Sequence, residues 1–264
     1  MPRDQLGEFD RFEGHDYQRA LDIYALANGN THTFHAVCRD NRIKPVFHPF
    51  WETLLLVNIY ISIMLDILHQ LLQGVMKHLI AWLSNPLIFG RWGIDAQCRL
   101  MPPNHHIVLF PRGITTLSCV LGKEHKNICR ILLGLIVNLC LTNGSGSAHI
   151  LRAVRSLLDF LYLAQLPLQS SDTISHLEHS LVTFYKNKEV FVDLGVRDHF
   201  NVPKIHSLLH YTSLIHLFGT TDNYNTEQTK RLHIDFTKDA YCTTNHKDEY
   251  HQMTTWLEQH EKLQ

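Results

Sequence analysis

Hydrophobic and polar positions change rhythm sharply at residue 66. Val57, Ile59, Ile61, Ile63 and Leu65 alternate with Asn58, Tyr60, Ser62 and Met64. A period of two, rich in β-branched residues, predicts a half-buried strand. Beyond Asp66 the residues Ile67, Leu68, Leu71, Leu72, Val75, Met76, Leu79 and Ile80 follow helical spacing. Asp66, His69, Gln70, Gln73 and Lys77 fall on the opposite, polar face. Asp66 thus stands where a strand is expected to hand over to a helix. Two roles fit it. As an N-cap, its carboxylate accepts a hydrogen bond from a free N–H of the first turn. As a catalytic or metal-binding acid, it gains from the rigidity of a strand end. The local pattern leaves both open.

The rest of the chain reads mostly as helix. Residues 1–52 are polar and aromatic, with a helix expected near 16–27 and an extended, ring-bearing segment at Pro45–Trp51. Prolines at 86, 102, 103 and 111 mark 85–113 as loop, with a short strand expected over 106–110. Helices are expected at 123–141, at 148–165 with Leu151, Val154, Leu157, Leu158, Leu161 and Tyr162 on one face, and at 171–192. A further helix at 203–219 has Pro203 in its first turn and Gly219 at its end. The stretch 222–245 gives another, where Asn225 and Gln228 resemble a capping box. A last helix is expected near 247–262. The fold class is mainly α with a small β element, and no internal repeat is found.

Charge and composition narrow the function classes. Lys and Arg number 24 against 25 Asp and Glu, so there is no global basic signature of nucleic-acid binding, only room for a local patch. The 20 histidines are scattered rather than gathered into a metal-binding tract. No pair among the six cysteines forms C-x-x-C, which points to reduced thiols rather than to zinc or a disulfide framework. The longest apolar runs, 54–65 and 131–141, fall short of the roughly 20 residues a membrane helix needs. No signal peptide is read at the N-terminus, and no membrane partner is expected.

Few residues carry candidate chemistry. His206 and His210 share a helix face, but the H-E-x-x-H form and a third ligand are missing, and ordinary packing competes with metal binding. His176 and His179 stand in the same position. Glu227 opens a helix with Lys230 and Arg231 one turn on, which allows a local ion pair or a metal carboxylate facing Asp66. His69 and His233 are further polar candidates. Basic side chains that could form a DNA-contacting face are Lys123, Lys126 and Arg130 on one helix, Arg152 and Arg155 on the next, and Lys204 and Lys238. No nucleophile elbow, phosphate loop or dinucleotide fingerprint occurs.

Five stretches in order carry a family resemblance: PFW at Pro49–Trp51, DILHQLLQGVMKHL from Asp66 to Leu79, GKEHK from Gly122 to Lys126, PKIH continuing to His210, and DNYNTEQTKRLHIDFTKDAY with a following TN, Asp222 to Asn245. From about residue 38 onward the chain resembles the C-terminal part of a Plavaka-type, CACTA-like fungal DNA transposase. The resemblance implies a DDE enzyme with an RNase H-like core, interrupted by a large helical insertion. Its acids would hold two Mg²⁺ or Mn²⁺ ions for phosphodiester cleavage and strand transfer. It places Asp66 and Glu227 as catalytic and metal-binding residues, with transposon-end DNA as partner, homo-oligomers as an option and the nucleus as location. The implied divisions are an N-terminal extension at 1–52, a partial core at 53–112, the insertion at 113–221 and a catalytic-type helix and tail at 222–264. The chain departs from the family in four ways. No aspartate in 1–52 has a strand context for the first acid, Lys230 takes one of two positions where acids are common, Leu65 stands where proline usually precedes the Asp66 motif, and the C-x-x-C is absent. Those departures give the expectation of a truncated core, inactive as this chain. The alternative is a non-catalytic helical module, derived from a transposon, that binds DNA or protein.

Overall fold

The computed structural model describes residues 16–54, 57–89, 93–118, 120–138, 141 and 145–263. The chain divides into two units, Met1–Met64 and Leu65–Gln264. In the first, α1 (Tyr17–Ala25) begins at Asp16, whose carboxylate accepts from the Gln18 N–H at 3.0 Å. Asn30 caps α2 (Thr31–Asp40) in the same way, accepting from the His32 N–H at 2.9 Å. Ala20, Ile23 and Tyr24 of α1 meet Phe34 and Cys38 of α2 in a small core closed by Ile43.

The expected strand at 57–65 does not form. Ile59–Ser62 is a single helical turn, α3, capped by Asn58, whose side chain accepts from the Tyr60 N–H at 3.1 Å. Ile61, Ile63 and Met64 are exposed. A strand needs a neighbour to pair its N–H and C=O groups, and among the described residues there is no strand at all. The 106–110 segment is likewise irregular. Alternation of apolar and polar residues was present without a sheet to use it, and the cap at Asn58 took the backbone instead. The small β element and the RNase H-like core expected over 53–112 are therefore corrected: the described chain is helical, with no sheet into which 113–221 could be inserted.

The second unit opens at Asp66. Ile67–Met76 is wound as a π helix and continues as α4 (Lys77–Leu83). Wide winding of this kind is rare and usually confined to one turn. Within it Gly74 leaves room for close neighbours: a Cβ at that position would lie 2.9 Å from the His69 carbonyl oxygen and 3.1 Å from Lys204 Cδ. Gln70, placed on the polar face by its spacing, is buried and donates to the Lys204 carbonyl at 2.8 Å.

Short helices α5 (Pro86–Phe89) and α6 (Gly93–Leu100) lead through a proline-rich loop to α7 (Gly122–Ile136). Next come α8 (Ser145–Ala164) and α9 (Ser171–Asn187), which pack side by side. The buried positions of α8, Ile150, Ala153, Val154, Leu157, Leu158 and Leu161, recur at helical spacing, whereas Tyr162 is exposed. Ser170 and Thr173 cap α9 reciprocally, each side chain accepting from the other's N–H. Beyond α9 lie α10 (Val190–Asp193), α11 (Pro203–His206), a 3-10 turn, and α12 (Tyr211–Phe218), which ends on Gly219 at φ 81°. Then come α13 (Thr226–His233), a π segment (Ile234–Lys238), α14 (Asp239–Cys242) and α15 (Glu249–Leu263). One hydrophobic core of the 65–264 unit joins the π helix and α4–α12. No helix among the described residues is long and apolar enough to cross a membrane.

Candidate functional site

The two acids singled out in the sequence lie at the junction of the π helix, α7 and α13, and each is already bonded within the protein. Asp66 is 9% exposed and caps the π helix, its Oδ1 accepting from the His69 N–H at 3.0 Å. Oδ2 lies 2.9 Å from His69 Nδ1 and accepts a hydrogen bond from the Thr226 hydroxyl. Thr226 Oγ1 also stands 3.1 Å from His69 Nδ1, so the three side chains form a closed triangle. Burial would raise the Asp66 carboxyl, but the hydrogen bonds from Thr226 and His69 outweigh it and hold the carboxyl below its usual range. On the main chain, the Asp66 carbonyl accepts from the Tyr211 hydroxyl at 3.2 Å. Burial, then the nearby Asp66 and Tyr224, push the Tyr211 phenol well up, so it stays neutral and keeps its donor proton.

One residue along α13 the second acid is equally committed. Glu227 Oε2 pairs with Lys126 Nζ of α7, both side chains about one-third exposed. The Glu227 N–H donates to Asn225 Oδ1 at 3.1 Å, so Asn225 caps α13. Asp66 and Glu227 thus belong to one polar latch that ties the start of α13 to the π helix and to α7. The latch is built by internal donors, which is the opposite of what divalent metals need: free carboxylate oxygens converging on one point. Among the described residues no group of three or more His, Cys, Asp and Glu could hold a metal ion. The expected Mg²⁺ or Mn²⁺ site, and with it the DDE nuclease, is overturned by that finding and by the absence of a sheet beneath Asp66.

The remaining candidates scatter. His206 and His210 are neighbours on one face, ring centroids 5.1 Å apart, and among the described residues they belong to no group of three that could hold a metal ion. Burial, then His206, lower the His210 imidazole. His233 and Lys238 are exposed on the last helices. Lys204 lies half-buried along Gly74, its ammonium 3.4 Å from the His69 carbonyl. Lys126 is spent on Glu227, while Lys123 and Arg130 are exposed on α7.

Arg152 and Arg155 fare differently. Both are exposed on α8 and line, with His176 and His179 of α9, an open groove of about 580 Å³. Arg155 Nε lies 3.7 Å from Asp159, and Arg152 has no ion-pair partner among the described residues. Spacing identified these four side chains separately, but only the packing of α8 on α9 brings them together. Thr226 and Tyr211 escaped notice in the sequence, because their partners are 160 and 145 positions away and no short-range pattern marks them.

Among known families, the model described as Plavaka transposase matches residues 1–83. No curated protein and no solved structure matches the chain. The match falls at the N-terminal end. It corrects the resemblance drawn from residue 38 onward to the C-terminal part of that family, since the stretches at Gly122–Lys126, Pro203–His210 and Asp222–Asn245 lie outside it.

Proposed function

We propose that this chain is a non-catalytic helical binding module whose partner is nucleic acid, met through the face formed by α8 and α9. One observation carries the reading: Arg152, Arg155, His176 and His179 line a single open groove, while the acids that a nuclease would use are bonded inside the latch. Guanidinium and imidazole groups side by side suit phosphate oxygens, which they can meet through charge-assisted hydrogen bonds. Similarity of residues 1–83 to a transposase family gives the same class of partner, and nuclear localisation would accompany it. With a net charge of −1, binding depends on this patch and not on the whole surface.

The test is fluorescence anisotropy of a labelled duplex against salt concentration. Affinity should fall steeply with salt, and Arg152→Glu with Arg155→Glu should abolish most binding and reduce the salt slope by about 2. Flat salt dependence, or a double variant that binds like the native chain, would reject the reading. A second reading, docking of a protein, draws on α13 and the π segment, where Leu232, Ile234 and Phe236 are all exposed. It predicts that aspartate at Ile234 and Phe236 disrupts a protein complex while DNA binding persists.

A further inference from the structure

Cations are only part of the α8–α9 groove. Along its α8 wall, Arg152, Arg155, Asp159, Tyr162 and Leu163 recur at helical spacing, and Leu166 follows just past the helix end. The basic residues come first and the apolar ones last. Tyr162 lines the groove with 46% of its surface exposed. Burial, then Cys129, raise its phenol against the opposing pull of Arg130, so the ring is uncharged. Asp159 faces Arg155 at 3.7 Å and offsets part of its charge, while Arg152 has no ion-pair partner among the described residues. His176 and His179 on the α9 wall add two more exposed rings. The groove's hydroxyls turn to their own helices: Ser156 donates to the Ala153 carbonyl at 2.9 Å, Ser180 to Leu177 at 2.7 Å and Thr183 to His179 at 2.9 Å. Their protons are therefore not offered to the edge of a base, whereas the face of a base has a ring to meet.

We infer that the α8–α9 groove takes single-stranded nucleic acid in preference to duplex, with a base stacked on the Tyr162 ring and the neighbouring phosphates on Arg152 and Arg155. The inference rests on the nucleic-acid reading of this groove and adds the form of the strand. A duplex keeps the faces of its bases inside and shows a protein its phosphates and groove edges, which are read by elements that protrude into a groove. A recess between two helices has the inverse shape, so a duplex meets it only at the rim, through the two arginines. A single strand brings both of the things the groove offers partners for, base faces and phosphates, and stacking on aromatic side chains is the usual way such strands are held. Seven residues of α8 between Arg155 and Tyr162 span about 10 Å. At about 3.4 Å per stacked nucleotide, that is room for about three.

Fluorescence anisotropy of the full chain with four labelled probes tests it: oligothymidylate, oligouridylate, the oligothymidylate–oligoadenylate duplex, and an abasic strand of the same length. The better of the two single strands is expected to bind about tenfold more tightly than the duplex and than the abasic strand, and which of them it is tells DNA from RNA. Tyr162→Ala should weaken that strand about fivefold or more and leave the duplex unaffected, which also shows that the variant is folded. Tyr162→Phe keeps the ring and should bind as the native chain does. The inference is overturned, with the nucleic-acid reading intact, if the duplex binds as tightly as both single strands, if the abasic strand binds as well as oligothymidylate, or if Tyr162→Ala changes nothing. The comparison of probes on the native chain needs no variant and decides if Tyr162→Ala does not fold. If no probe binds, the nucleic-acid reading itself falls and this inference with it.

Discussion

Removing the Asp66 carboxylate should loosen the latch by an amount that its separate contacts allow to be worked out. Asp66→Ala deletes an N-cap, worth about 1 kcal/mol. It also deletes the charged acceptor of the Thr226 hydroxyl in a nearly buried setting, about 1.5–3 kcal/mol. The contact with His69 adds little, since that side chain is 47% exposed and solvent screens it. The sum is about 2.5–4 kcal/mol, or a drop in melting temperature of roughly 10 °C for a unit of this size. Asp66→Asn separates the terms. Asparagine caps helices as well as aspartate, so only the charge-assisted share is lost, about 1–2 kcal/mol. Urea denaturation followed by circular dichroism measures both. The reasoning is refuted if Asp66→Ala lies within about 0.5 kcal/mol of the native chain, the scatter of ordinary surface changes. It is refuted in part if the Asn variant is as damaged as the Ala variant, because the cap would then contribute nothing.

Three more outcomes follow from the same geometry. Because the folded state holds Asp66 below its ordinary value of 3.8, its stabilisation is complete above pH 3.8 and is lost as pH falls below that value through the folded pKa; the urea midpoint should drop less steeply there in Asp66→Asn than in the native chain. Gly113 has φ 89° and a Cβ on it would stand 2.2 Å from Asp95 Cγ, while Asp95 accepts from the Ile114 N–H at 2.8 Å, so Gly113→Ala should cost about 2 kcal/mol or more, read from the melting temperature. A double-mutant cycle on Lys126→Ala and Glu227→Ala should give a coupling of only about 0.5–1 kcal/mol, since water reaches both side chains, and that coupling should shrink in high salt.

Local features of this fold were legible in the sequence because local chemistry writes them. Pro203 and Gly219 bracket the helical run they were expected to bracket, and α9 starts at Ser171, as expected, with Ser170 as its cap. The cap was one of the two roles open to Asp66, and it is the one the geometry assigns. What misled was a stretch whose alternation suited a strand. Between 57 and 65 the pattern specified a period without a partner, and a sheet is a property of at least two segments. The functional error had the same root. Asp66 and Glu227 were singled out in the sequence as acids, yet what each carboxylate does is set by Thr226 and Lys126, at separations of 160 and 101 residues. No spacing rule reaches that far. The π winding was hidden too, since apolar positions at 67, 68, 71, 72 and 75 read as an ordinary α pattern.

The latch also fixes the order in which this chain comes apart. Among the described residues α13 and the π segment after it bury no side chain, so they are held at their start by polar contacts rather than by the core. Acid below pH 3.8 removes the Asp66 contacts and added salt weakens the Lys126–Glu227 pair, while the aliphatic interior is untouched. Proteolysis under those conditions should clip the chain near the 220s first and leave a trimmed, still-cooperative body ending close to α12.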